Sequence, residues 1–173
     1  MDSRPYVTYK DSVLGKAVGK EIYGYQCVWL FKDYCNNVLD MNIKKSGNAK
    51  EIWTNKYRIF GPDRMEGDWV KNLMQWDILV SNNGNFGHVA IFDRYVDGKI
   101  YVLEQNGSWK NSGDGIGPNT VRVHWYTPTF FSVLWRSNKI IYNYLKEVDY
   151  IENKLLSGSD KDTLDYLSSI RHK

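Results

Sequence analysis

Tyr23-Gly24-Tyr25-Gln26-Cys27-Val28-Trp29-Leu30-Phe31 opens a run in which Cys27, Leu30, Phe31, Tyr34, Cys35 and Val38 recur at i, i+3, i+4, i+7, i+8 and i+11. This is the spacing of one buried helical face, and it predicts a helix with Cys27 in its first turn. An ordinary cysteine has a pKa of about 8.5 and is mostly a neutral thiol near pH 7. Unpaired N–H groups and the positive dipole end of a helix favour the thiolate and can later hold an oxyanion.

Alone, Cys27 would read as an apolar cysteine at the start of a core helix, because free cysteines are among the most buried residues. Residues further along the chain change that reading: His88 stands behind Gly87, and then comes Glu104-Gln105-Asn106. Nucleophile, base and orienting polar group are the three parts of a thiol hydrolase. Cys35 keeps the core reading. Eight helical residues span about 12 Å, beyond the roughly 7 Å Cα separation a disulfide bridges.

The base and its partners fall on strands. Ile78-Leu79-Val80 is a short apolar strand before the turn-rich Ser81-Asn82-Asn83-Gly84-Asn85, and His88–Asp93 and Ile100–Asn106 flank Val96-Asp97-Gly98 as a hairpin. A two-residue Asp97-Gly98 loop pairs Val96 with Lys99 and puts His88 opposite Gly107, on the other face from Asn106. A three-residue loop with Gly98 left-handed instead sets His88 opposite Asn106 and Ala90 opposite Glu104. Catalysis requires the second register, in which Asn106 or Glu104 fixes the imidazole and its other nitrogen faces Cys27.

These residues carry a resemblance. Tyr25-Gln26-Cys27 at a helix start, Gly87-His88-Val89-Ala90-Ile91 on a strand, Glu104-Gln105-Asn106 on the next and a final Phe131-Ser132-Val133-Leu134-Trp135-Arg136 strand resemble the CHAP domain, the cysteine- and histidine-dependent amidohydrolase/peptidase module of phage endolysins and bacterial wall hydrolases. The likeness covers about residues 8 to 136. It implies an α+β, papain-like fold with N-terminal helices packed on an antiparallel sheet, and cleavage of a peptidoglycan amide bond. Carried over, Cys27 is the nucleophile, His88 the base, Glu104 and Asn106 the supporting polar residues, and Gln26 the neighbour of the oxyanion site.

Two departures from the family pattern stand out. Several members bind calcium through carboxylates before and after the nucleophile, whereas Val18, Lys20 and Trp29 stand here; Glu21 alone is a poor site for a hard cation that needs several oxygens. No cofactor is therefore expected, and calcium is not. The usual Gly-Asp before the histidine strand is Trp76-Asp77, which puts the local backbone there in question.

A chain of 173 residues, 42% hydrophobic and 25% charged, can bury one compact unit. Its formal charge of +3, without a concentrated basic run, gives little support to nucleic-acid binding and only weakly favours an anionic wall. No apolar leader follows Met1 and no stretch is long enough for a bilayer span, so the expected setting is the host cytoplasm before lysis, or a virion, with peptidoglycan as partner and no membrane insertion. Two cysteines make no disulfide framework.

Trp76, Trp109 and Trp125 are placed beside the groove, with Trp109 a substrate contact, although core packing is the commoner fate of such aromatics. His124 reads as a surface strand residue. After Arg136, Ile141, Tyr144, Leu145, Val148, Ile151 and Leu155 recur at helical spacing, and Ser157-Gly158-Ser159 interrupts them. The chain thus divides into a catalytic domain at 1–136 and a helical extension at 137–173 that packs in cis, self-associates or docks a partner. An NlpC-type peptidase shares the Cys-then-His order but usually has Asp-Cys-Ser-Gly where Gln26-Cys27-Val28-Trp29 stands. A noncatalytic wall-binding or assembly protein is the third class.

Overall fold

The computed structural model describes residues 6–19, 25–54, 64–65, 70, 73–107, 119–136, 145–146 and 149. Among the described residues three helices, α1 (Tyr6–Val13), α2 (Cys27–Asn37) and α3 (Ala49–Thr54), precede a sheet made of β1 (Arg64–Met65), β2 (Ile78–Ser81), β3 (His88–Val96), β4 (Lys99–Glu104), β5 (Arg122–Tyr126) and β6 (Val133–Trp135). Sheet order is β1-β6-β2-β3-β4-β5, and every neighbouring pair is antiparallel. This is the α+β architecture expected from the sequence.

The predicted helical face is the buried one. Cys27, Leu30, Phe31, Tyr34, Cys35 and Val38 are all buried, and they pack with Ile78, Val80, Val89, Ile91 and Leu103 from one side of the sheet. Period-two alternation sends Leu79, Ala90, Phe92, Ile100 and Val102 to the other side, against Tyr126 and Phe131. Neither thiol is in a disulfide. The two-sided sheet carries α2 against β3, so the first turn of α2 arrives at the His88 end of that strand.

The β3–β4 hairpin reaches the expected register by an unexpected route. Val96 pairs with Lys99 across a two-residue Asp97-Gly98 turn, both residues having positive φ (50° and 74°), as a type I′ turn requires. The three-residue loop read from the sequence is therefore incorrect. Between Phe92 and Arg94 the register shifts, and beyond the bulge Phe92 pairs with Val102 and Ile91 with Leu103, the offset that brings Ala90 towards Glu104. Asp93 is the extra residue. Its buried carboxylate accepts from Tyr6 Oη (2.9 Å) and Lys10 Nζ (2.7 Å) on α1 and pairs with Arg94.

Trp76 keeps a glycine-like backbone without glycine. Its φ is +86°, its N–H donates to the Phe92 carbonyl (3.1 Å), and its own carbonyl accepts from Tyr34 Oη (3.0 Å). Strain of this kind costs on the order of 1–3 kcal/mol, which complete burial of the indole against Tyr6 offsets. The neighbouring Asp77 is held by Arg136 and by the Met74 N–H (2.7 Å), tying the loop before β2 to the end of β6.

Of the extension at 137–173, only 145, 146 and 149 are described; they are helical and exposed. Its other apolar positions lie outside the described residues.

Candidate active site

Three elements converge on Cys27. Helix α2 places it at N1 after Gln26, which is extended at φ −86°, ψ 157° and makes no side-chain cap. Strand β3 brings His88, and the Val89 N–H hydrogen-bonds the sulfur together with the Val28 N–H. Strand β4 brings Glu104, whose Oε2 lies 2.8 Å from His88 Nε2. That contact leaves Nδ1 for the thiol, with which His88 shares a side-chain hydrogen bond.

Glu104 is completely buried and its oxygens are fully engaged. Oε1 accepts from Arg122 Nε (3.1 Å) and Nη2 (3.0 Å), while Oε2 accepts from Tyr126 Oη (2.6 Å) as well as facing His88. Burial alone would raise its pKa, but His88, Tyr126 and Arg122 outweigh it and lower the value to about 2. The carboxylate is thus a fixed anion behind the imidazole.

The same logic runs forward to sulfur. Burial opposes a charged His88, yet Cys27 and then Glu104 prevail and raise the imidazole to about 10. For Cys27, burial pushes the thiol up, but the His88 charge and hydrogen bond, with the Val89 and Val28 N–H groups, leave it below its ordinary value. Cys35, buried with no such neighbours, is raised. The surroundings favour a thiolate–imidazolium pair, and the contrast between two cysteines of one helix face comes entirely from what surrounds them.

Asn106 makes no hydrogen bond to the imidazole. With φ at +55°, it leaves the strand and donates through Nδ2 to Gln26 Oε1 (2.6 Å). Gln105, completely buried, accepts the Val18 N–H at Oε1 (2.7 Å) and donates through Nε2 to the carbonyls of Val18 (2.9 Å) and Gln26 (3.2 Å). Three consecutive residues therefore hold three different parts: Glu104 the imidazole, Gln105 the backbone before the nucleophile, and Asn106 the Gln26 amide. That amide then turns its NH2 fork away from Asn106.

The sequence brings Cys27, His88, Glu104, Asn106 and Gln26 to one place; Trp109 lies outside the described residues. Trp76 is core, and Trp125 carries Lys99 over its ring (4.3 Å) on β5, so neither lines the cleft. His124 is buried against Tyr126, 4.9 Å between ring centres, which corrects its surface reading. Arg122, Tyr126 and Gln105 were not legible as site residues. Gly107 offered a signal: a Cβ there would lie 2.1 Å from Glu104 Oε2, so only glycine leaves the carboxylate its place.

The cleft beside Cys27 and His88 has a volume of about 940 Å³ and is bounded by Gln26, Trp29, Ser46, Asn48, Phe86 and Asn106, among others. Such a volume suits a peptide-sized ligand. Calcium does not fit the described residues near it. Both backbone groups of Val18 are taken by Gln105, Trp29 packs so closely on Gly19 that a Cβ there would meet the indole at 2.4 Å, and Lys32 Nζ stands 4.5 Å over the same ring. An apolar ring and an ammonium are the wrong donors for a hard cation.

A family model of the CHAP domain matches residues 17–106. The chain is 37% identical over 117 residues to endolysin PlyTW of Staphylococcus phage Twort, a match taking in 61% of this chain and 24% of that protein, so the chain spans about a quarter of the curated relative. A crystal structure of the wild-type endolysin LysIME-EF1 superposes with a TM-score of 0.56 at 20% identity, over 76% of this chain and 62% of the other, a likeness of fold. Among the described residues no helix is long and apolar enough to cross a membrane.

Proposed function

From the premise that this chain belongs to the CHAP domain family, we propose that it is a peptidoglycan hydrolase of the phage-endolysin type, cleaving an amide bond of the bacterial wall by attack of the Cys27 thiolate. The observation that carries this reading is the chain of contacts from Cys27 through His88 to the saturated Glu104 carboxylate, at the edge of a peptide-sized cleft.

The Cys27 thiolate adds to the scissile carbonyl carbon, and the resulting oxyanion is met by first-turn N–H groups of α2 and the Gln26 amide. The His88 imidazolium gives its proton to the leaving amine as the C–N bond breaks, leaving a thioester. Neutral His88 then takes a proton from water, which attacks the thioester; collapse returns the acid product, the thiolate and the imidazolium. Glu104 holds the ring and balances its charge throughout. The reaction uses no metal in this reading.

The test is digestion of purified cell walls with products read by mass spectrometry. A new muramyl carboxylate with a free stem-peptide N-terminus identifies an amidase, whereas a new carboxylate and a new amine both within the peptide identify an endopeptidase. Cys27→Ala should release neither, and alkylation of Cys27 should abolish release by the unmodified protein. Lysis persisting in a clean Cys27→Ala preparation overturns the thiol mechanism, and wall binding without any product favours a noncatalytic wall-binding protein.

A further inference from the structure

One wall of the cleft is built from cations that, among the described residues, have no acidic partner. Lys32 on α2 is half-buried, and its Nζ donates to the Lys44 carbonyl (2.9 Å), which ties the 44–48 loop to the helix beside the Trp29 ring. Lys44 and Lys45 line the same cleft and are exposed. Elsewhere several cations packed on the sheet are neutralised, Lys10 and Arg94 by Asp93, Arg122 by Glu104, and Arg136 by Asp77. No carboxylate of the described residues forms a salt bridge with Lys32, Lys44 or Lys45.

The acid that borders the cleft among the described residues is engaged in its own turn. Glu51 accepts from Asn48 Nδ2 at Oε1 (3.0 Å) while its N–H donates to Asn48 Oδ1 (3.0 Å), so side chain and backbone form a reciprocal cap on α3. Glu51 keeps its charge, but three lysines against one carboxylate leave the described lining with an excess of positive charge on the side formed by α2 and the 44–48 loop. A concave surface with low-dielectric walls of one sign concentrates ligands of the other. Trp29 and Phe86, the latter 70% exposed, supply apolar contact for a chain lying along the groove.

We propose that the wall formed by Lys32, Lys44 and Lys45 binds a carboxylate of the substrate peptide, so that the site prefers an acidic stem peptide over one whose carboxylates are amidated. This rests on the hydrolase reading for the scissile bond but not for the charge preference. Direct ammonium–carboxylate contacts at a half-exposed site are modest singly. Two or three converging on one group in a cleft give a preference of about fivefold, expressed mainly in KM and weakened by salt.

The experiment compares two soluble muropeptides that differ only in having free carboxylates or carboxamides on the stem peptide. The unmodified protein should turn over the acidic one with a kcat/KM about fivefold higher, and Lys44→Gln/Lys45→Gln should lose most of that difference. In parallel, calorimetry on Cys27→Ala measures binding of the same pair without turnover. If neither peptide is cleaved yet Cys27→Ala binds the acidic one more tightly in a lysine-dependent way, the charge preference stands and the hydrolase reading falls. Equal binding of the two peptides, no binding of either, or a preference that survives the double substitution overturns the proposal.

Discussion

Glu104 Oε2 lies 2.8 Å from His88 Nε2 inside a pocket that leaves the carboxylate no solvent exposure. The two groups therefore titrate as a pair with the thiol, and the acid and alkaline limits of activity belong to the set. His88 is raised to about 10 and Cys27 is lowered, so activity should rise as the thiol ionises, at a pH below that of an ordinary cysteine, and fall as the imidazolium deprotonates near pH 10. Glu104→Gln removes the anion that stabilises the imidazolium. His88 then loses its proton at lower pH, while Cys27, which still faces the imidazolium at the acid limit, ionises no later than before. The kcat/KM profile on a soluble substrate should narrow from its alkaline side, with the acid limit held; an unchanged profile would show that Glu104 serves packing alone.

Gln105 predicts a different signature. Gln105→Leu removes three hydrogen bonds to Val18 and Gln26 but none to His88 or Cys27. The groups left unsatisfied should lower stability by about 1–3 kcal/mol. More tellingly, kcat should drop about tenfold or more, because the backbone entering the nucleophile is released, while the pH profile keeps its limits. Stopped-flow alkylation of the thiol against pH, beside steady-state turnover, separates the two; a shifted alkylation profile would mean that Gln105 acts on the ion pair.

Asp93 connects fold to chemistry. Its carboxylate holds the bulge that sets the register between the turn and the site, with Tyr6 and Lys10 reaching it from α1. Asp93→Ala should cost about 2–3 kcal/mol, since it strands buried donors. A one-residue slip reverses the faces of a strand, so the variant should also weaken the His88–Glu104 contact. Thermal melting measures the first, and the imidazole pKa by NMR titration the second, expected to fall from about 10 towards the ordinary histidine value. A normal His88 titration in a destabilised variant would mean that the bulge is held by other contacts.

The helix at 27–37 and the strands at 78–81, 88–96 and 99–104 were legible because their apolar spacing is local. So were Cys27, His88 and Glu104, each placed at a helix start or on a strand by that spacing and by the resemblance those segments carry. The hairpin turn was misread because its true cause is distant: the Asp93 bulge depends on Tyr6 and Lys10, 87 and 83 residues earlier. Arg122 and Tyr126 escaped for the same reason, being ordinary strand residues until β5 lies beside β4 and turns them onto Glu104. Trp76 shows the converse. A left-handed backbone is normally signalled by glycine, and here tertiary burial of a large ring maintains it, which no local pattern announces.

Calcium offers the last test. The positions that flank the nucleophile present Val18 with its backbone committed to Gln105 and Trp29 packed under Lys32, so binding should be weak or absent. A ligand that binds only the folded state stabilises it by RT ln(1 + [L]/Kd), about 2.7 kcal/mol at one hundred times Kd. For a domain of this size that would raise the melting temperature by several degrees. We expect a shift of less than about one degree with millimolar calcium, and wall lysis unaffected by EGTA. A rise of several degrees that EGTA reverses, accompanied by calcium-dependent lysis, would place an oxygen-rich site in the loop before Gln26 and remove the metal-independent mechanism.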